Sequence, residues 1–187
     1  MKIKTDDPRL IAPQCTSLIP VETVHENPWF TVRNRGGYYT VEHNQPQVAV
    51  LPILESRAII MVRVKRPVLE DITLDLPAGG MERDERPVQT AARELAEETG
   101  IEIHNIERFK RLPPFAIIPR SPLLPYIFQI HISGQEYDRR EKCDYEIESV
   151  ECLEFKDIVS KIVENEIYMA LPVAILSRFF LTNSESV

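Results

Sequence analysis

A mixed β-sheet with helices on its faces, an α/β fold, is the expectation for this chain, and three observations carry it. Two stretches rich in β-branched residues, "QVAVLPIL" and "RAIIMVRVK", read as buried strands. One sharply punctuated helix, from about Pro87 to Thr99, is inserted among the strands. Helical patterns then cover "KDIVSKIVEN" and "LPVAILSRFF" at the C-terminal end. Strands with a helix between them and helices after them imply layers packed on both sides of one sheet.

In chain order, residues 1–27 read as an irregular, proline-bearing lead-in. "WFTVRN" and "YYTVEH" then flank Arg35, Gly36 and Gly37, a hairpin with glycines for its turn. A hairpin is too small to bury a core of its own. Residues 1–45 are therefore expected to pack on the main domain, residues 46–187, or on a second subunit. The next two strands meet at Glu55 and Ser56 in another hairpin, and "ITLDLP" is a shorter strand entering a loop, "AGGMERDER". Pro87 suits the first helical turn, where its missing N–H costs nothing, and Gly100 suits the left-handed position past the helix end. Val88, Ala91, Ala92 and Leu95 form the helix's apolar stripe. "IERFKRL", "LPYIFQIHI" and "SVECLEF" read as three further strands, and Pro172 stands near the start of the last helix.

The chain has 187 residues, enough for one domain with a sizeable core, and its 43% hydrophobic and 27% charged content is that of an ordinary globular protein. No apolar run approaches the roughly 18 residues a membrane span needs. The opening "MKIKTDDPRL" lacks the apolar core of a signal peptide, so a cytoplasmic protein without a membrane partner is expected. A net charge of −7 argues against a nucleic-acid binder, which would show a basic footprint. Cys15, Cys143 and Cys152 are odd in number and lack metal-ligand spacing, and they read as reduced thiols.

Glu94, Glu97 and Glu98 stand at i, i+3 and i+4 on the central helix, so their carboxylates share one face, away from the apolar stripe. At roughly 1.5 Å rise per residue they lie within about 6 Å along the axis. Like charges so crowded mark either a solvated face or the seat of a cation. Hard oxygen ligands of this kind suit Mg2+ or Mn2+. Arg93 can pair with Glu97 at i+4, and more usefully with Glu85 in the preceding loop. The residues around the helix weigh for the cation. Residues 79–101, "GGMERDERPVQTAARELAEETGI", resemble the Nudix box, G-x5-E-x7-R-E-U-x-E-E-x-G-U with U aliphatic. Gly79, Glu85, Arg93, Glu94, Leu95, Glu97, Glu98, Gly100 and Ile101 fill every specified position.

That resemblance implies a Nudix α/β/α sandwich that hydrolyses a nucleoside diphosphate linked to another group. Across residues 82–98 six acids and three arginines leave a net −3, so a diphosphate needs divalent cations to invert the local charge. The metals would polarise phosphoryl oxygens and lower the pKa of an attacking water. "LDLPAGGME" resembles the L-E-x-P-A-G-x-x-E segment of ADP-ribose pyrophosphatases and their nucleoside diphosphate sugar relatives, with Asp75 replacing a glutamate. Arg66, in "VRVKRP", matches the arginine of their Q-Y-R strand end, while the glutamine and the aromatic are absent.

By the same resemblance Glu94 and Glu98 are principal metal ligands, Glu97 and the Ala78 carbonyl assist, and Glu82 adds a water-mediated contact. Glu85 and Arg93 orient the cluster. The base in such relatives is often a glutamate from a loop after the box, which points to Glu146 or Glu148, with Glu146 preferred; an acidic surface loop is the competing reading. Trp29 would stack on the nucleotide base or else anchor a core or interface. Arg33 would meet phosphate or ribose or else lie on a solvated hairpin face, Arg66 is the better phosphate candidate, and Pro119 corresponds to a proline of the substrate loop. The N-terminal segment of such relatives builds a homodimer that completes the site. The expected activity is Mg2+-dependent (or Mn2+-dependent) hydrolysis of ADP-ribose or a related nucleoside diphosphate sugar. Another substrate, such as NADH or a diadenosine polyphosphate, is the first alternative. A non-catalytic nucleotide-binding module is the second, and the intact box argues against it.

Overall fold

Two β-sheets follow one another in the computed structural model, which describes residues 6–183. The first is antiparallel, with β1 (Val21–Glu26), β2 (Phe30–Arg35) and β3 (Tyr38–His43) side by side in that order. Gly36 and Gly37 turn the β2–β3 hairpin as the sequence predicts. Strand β1 corrects the expectation that residues 1–27 are irregular. All six of its residues are exposed, so no pattern of burial marks it in the sequence. Backbone pairing to β2, from Val21–Arg35 to Glu26–Thr31 around an irregularity at Thr23 and His25, is what makes it a strand.

The second sheet is mixed. It contains β4 (Gln47–Leu54), β5 (Ala58–Arg66), β6 (Asp71–Asp75), β7 (Ala78–Gly80), β8 (Lys110–Leu112), β9 (Tyr126–Ile132) and β10 (Ile147–Glu154). The main order is β10-β5-β4-β9-β8, and β4 with β9 is the parallel pair. Strands β4 and β5 pair only near their hairpin, at Ile53–Ile59 and Leu54–Ala58. Beyond that they part; β7 fills in beside β4 and β6 beside β5. This split opens the sheet where the box begins.

Alternation along β4 and β5 sorts the core into two layers. Val48, Val50, Leu54, Ala58 and Ile60 face the layer that holds Ala91 and Leu95 of α1 (Pro87–Thr99). Ala49, Leu51, Ile53, Ile59 and Met61 face the opposite layer. There α3 (Phe155–Val163) and α4 (Ala170–Thr182) contribute Phe155, Ile158, Ile175 and Leu176. Phe155, Phe179 and Phe180 meet edge to face, with centroids 5.3–5.8 Å apart, and tie the two helices together. The result is the expected α/β/α sandwich.

Three local expectations change. The first residues of "AGGMERDER" are strand β7, not loop, because Gln47, Val48 and Ala49 of β4 supply a pairing edge. In "IERFKRL" only Lys110–Leu112 pairs, and Ile106–Arg108 is a 3-10 turn capped by Asn105. A short helix, α2 (Gly134–Asp138), follows β9; Ser133 and Glu136 form its capping box.

Candidate active site

Helix α1 carries the box residues and its ends are set locally. Pro87 opens it, the Gln89 side chain accepts from the Arg86 N–H at 3.0 Å, and Gly100 ends it with φ of 72°. Burial of Ala91 and Leu95 against β4 turns Glu94 and Glu98 toward β7. Glu94 is only 7% exposed, and a methyl group at Gly79 would overlap its carboxylate. Glu98 accepts from the Ala78 N–H at 3.1 Å.

Burial raises both carboxyl groups above their ordinary range. Glu98 is pushed up to about 8, chiefly by desolvation, with Glu94 and Asp75 adding repulsion and the Ala78 N–H and Arg66 opposing it. Glu94 moves in the same direction, again chiefly by desolvation. Two neighbouring buried carboxylates with too little positive charge make a donor set that fits a divalent cation. Among the described residues, no three His, Cys, Asp or Glu side chains are gathered so that together they could hold a metal ion. Glu97 turns instead to Arg93, whose guanidinium neutralises part of the cluster.

Arg93 is the hub. It donates to both Glu85 oxygens at 3.0 and 3.2 Å, to Glu97 at 2.8 Å and to the Gly80 carbonyl at 2.9 Å. It also lies 2.9 Å from Glu94. Glu85 further accepts from the Glu82 N–H at 3.0 Å and the Thr90 hydroxyl at 2.8 Å. Hydrogen bonding to Arg93 holds the Glu85 carboxyl at about 2. Loop, helix and β7 are thus locked to one another by a single guanidinium.

Arg66, at the end of β5, joins this group through Asp75 of β6, 2.7 Å away. Asp75 is buried, and the Arg66 Nε is buried with no hydrogen-bond partner among the described residues. The sequence shows Asp75 only as a departure from a motif; the structure makes it the partner that holds Arg66. Thr90, a second unanticipated member, supports Glu85.

The other candidates lie elsewhere. Glu82 is exposed and contributes its backbone N–H rather than its carboxylate. Glu146 is exposed and accepts from the Tyr145 hydroxyl at 3.0 Å. Its loop nevertheless borders the box, since Asp144 N–H donates to the Glu97 carbonyl at 2.8 Å and Lys65 N–H to the Glu146 carbonyl at 3.3 Å. Glu148 is paired with Lys65 at 2.7 Å. Trp29 is 74% exposed in the β1–β2 connection, just before β2. Arg33 bonds the Thr23 hydroxyl and sits 3.5 Å from Glu42 within the first sheet. Pro119 is exposed in the loop between β8 and β9. None of these three hydrogen-bonds or ion-pairs with a box residue among the described contacts.

The profile of the NUDIX domain matches residues 43–171. The chain belongs to the Nudix family. Its similarity to the ADP-ribose pyrophosphatase of Bacillus subtilis (strain 168) is 32% identity over 126 residues, 66% of this chain and 65% of that protein. The methanol dehydrogenase activator of Bacillus methanolicus is 43% identical over 72 residues, 37% of this chain and 39% of the activator. The phosphatase NudJ of Escherichia coli (strain K12) is 28% identical over 127 residues, 66% of this chain and 82% of NudJ. The chain thus spans less than two thirds of the first two relatives. A crystal structure of an ADP compounds hydrolase superimposes with a TM-score of 0.66 at 19% identity, covering 90% of this Nudix chain and 95% of the other, a likeness of fold.

Proposed function

We propose that this Nudix protein hydrolyses the diphosphate bond of ADP-ribose or a related nucleoside diphosphate sugar in the presence of Mg2+, with Mn2+ as a substitute. A nucleoside monophosphate and a sugar phosphate are the products. The observation that carries the reading is the buried Glu94–Glu98 pair seated on β7, with Arg66 beside it. The similarity to an ADP-ribose pyrophosphatase supports the substrate class.

In this reading Glu94 and Glu98 hold the cation, with Glu97, the Ala78 carbonyl and, through water, Glu82 completing its surroundings. Bound there, the cation polarises phosphoryl oxygens and acidifies water. Arg66 faces the phosphoryl charge, and Arg93 with Glu85 keeps helix and loop in register. Glu146 takes the proton of the attacking water, whose oxygen joins phosphorus as the P–O–P bridge breaks. Glu148 is the less suited base because Lys65 occupies it. Trp29, Arg33 and Pro119 meet the nucleoside or sugar ends, and residues 1–45 pair with a second copy while residues 46–187 form the catalytic domain. Exposed Val21, Val24, Trp29, Tyr38 and Tyr39 on the first sheet support that pairing. Among the described residues no helix is long and apolar enough to cross a membrane, the charge of −7 argues against a nucleic-acid partner, and a cytoplasmic location is part of the same reading.

The test is product release from ADP-ribose, ADP- and GDP-sugars, NADH and diadenosine polyphosphates, with and without Mg2+. Metal-dependent AMP and ribose 5-phosphate from ADP-ribose are expected. Turnover of NADH or a diadenosine polyphosphate alone would overturn the substrate class, and no turnover at all would overturn the hydrolase.

A further inference from the structure

Between the β3–β4 connection and the loop of residues 113–125 lies an apolar cleft. Apolar residues dominate its lining, including Ile117 and Ile118, which are 43% and 44% exposed. No Lys, Arg, Asp or Glu lines it. Such a lining disfavours a phosphate and suits a flat, largely apolar ring with polar edges.

Gln45 and Gln47 supply the matching polar groups. Gln47 donates its Nε2 to the Gln45 carbonyl at 3.1 Å, and the Gln45 side-chain amide has no hydrogen-bond partner among the described residues. Each amide presents a donor next to an acceptor, the pairing that heterocyclic base edges also present.

The cleft adjoins the box. Gly80 pairs with Gln47 across β4 and β7, and a Cβ built on Gly80 would lie 2.6 Å from the Gln45 amide oxygen. The carbonyl of the same Gly80 is held by Arg93. One residue therefore separates the two. The far wall is preformed, since Arg120 and Arg9 carbonyls accept from Val41 and Leu124 N–H groups at 2.9 and 3.0 Å.

We propose that this cleft binds the heterocyclic base of the nucleoside diphosphate, read by Gln45 and Gln47. Its orientation relative to the diphosphate rests on the hydrolase reading above; the binding itself does not. The experiment is titration of AMP, GMP, CMP and UMP into the full chain in EDTA, by calorimetry and by amide chemical shifts. Shifts at Gln45, Gln47, Ile117 and Ser121 are expected, with one base preferred, and Gln45→Leu should weaken binding at least about tenfold. Glu98→Gln should still bind mononucleotide. Shifts gathered elsewhere, wild-type affinity in Gln45→Leu, or no binding of any mononucleotide at millimolar concentration would overturn the proposal. If the cleft binds nucleotide but no diphosphate is cleaved, the hydrolase reading falls and the cleft stands. If turnover is strong and the shifts lie elsewhere, the reverse holds.

Discussion

Burial holds the Glu98 carboxyl at about 8, above its ordinary 4.5. Between those values the folded chain keeps a proton that the unfolded chain has released, so stability falls as pH rises through the window. Glu98→Gln removes that titration. In EDTA its melting temperature should gain on wild type progressively between about pH 5 and pH 8, and added Mg2+ should restore wild type most at the upper end. The same variant should lose at least about a hundredfold in metal-dependent turnover. A pH-independent difference in melting would contradict the burial argument. Glu85 has the opposite sign. Its folded value of about 2 lies below 4.5, so its contribution is present above the ordinary value and is lost as pH falls through about 2. The destabilisation caused by Glu85→Gln should therefore shrink as acid is added, which thermal melts across that range would show.

One side chain of the terminal helix anchors the start of the loop between β8 and β9. Arg178 of α4 donates to the Pro113 carbonyl and, at 3.3 Å, to the Pro114 carbonyl, and its guanidinium lies 3.4 Å from the Phe115 ring centroid. Arg178→Ala should cost about 1–2 kcal/mol and speed hydrogen exchange in residues 113–125. Lysine should not substitute, since it cannot bond two carbonyls while stacking on a ring. Unchanged exchange in that loop would sink the claim. Nothing in the sequence pairs Arg178 with residue 113, 65 positions away. Helix α1, by contrast, was legible because Pro87, Gly100 and the apolar spacing act within one element. Strands β1 and β7 were not, since each owes its conformation to a partner strand rather than to its own pattern. Helix α2 did leave a local signal, the Ser133–Glu136 box, on a segment too short to show a stripe.

At the scale of the molecule, the first sheet exposes Val24 and Trp29 at 55% and 74%. If a second copy covers them, light scattering should give a dimer for wild type and a monomer for a Val24→Asp, Trp29→Asp variant. A monomeric wild type would refute the pairing. The box was readable from the chain because all its members lie within 23 consecutive residues, 79–101. Arg66 with Asp75 needed the β5–β6 pairing to bring them together. For Glu146 the reading stopped at candidacy, and the fold brings its loop to the box while leaving its carboxylate on Tyr145.

Gly100 gives that arrangement a further meaning. Besides its left-handed φ, it has the Glu141 backbone stacked so closely on it that a methyl group there would overlap the Glu141 carbonyl. The Glu141 N–H in turn donates to the Gly100 carbonyl at 2.8 Å. The residue that stops the helix is thus also the mooring of the loop that follows 41 positions later. Gly100→Ala should cost about 1–3 kcal/mol and set the 139–146 segment adrift, visible as proteolytic nicking there before the rest of the chain yields. Helix and loop then behave as one mechanical part, and neither can be remodelled without re-seating the other.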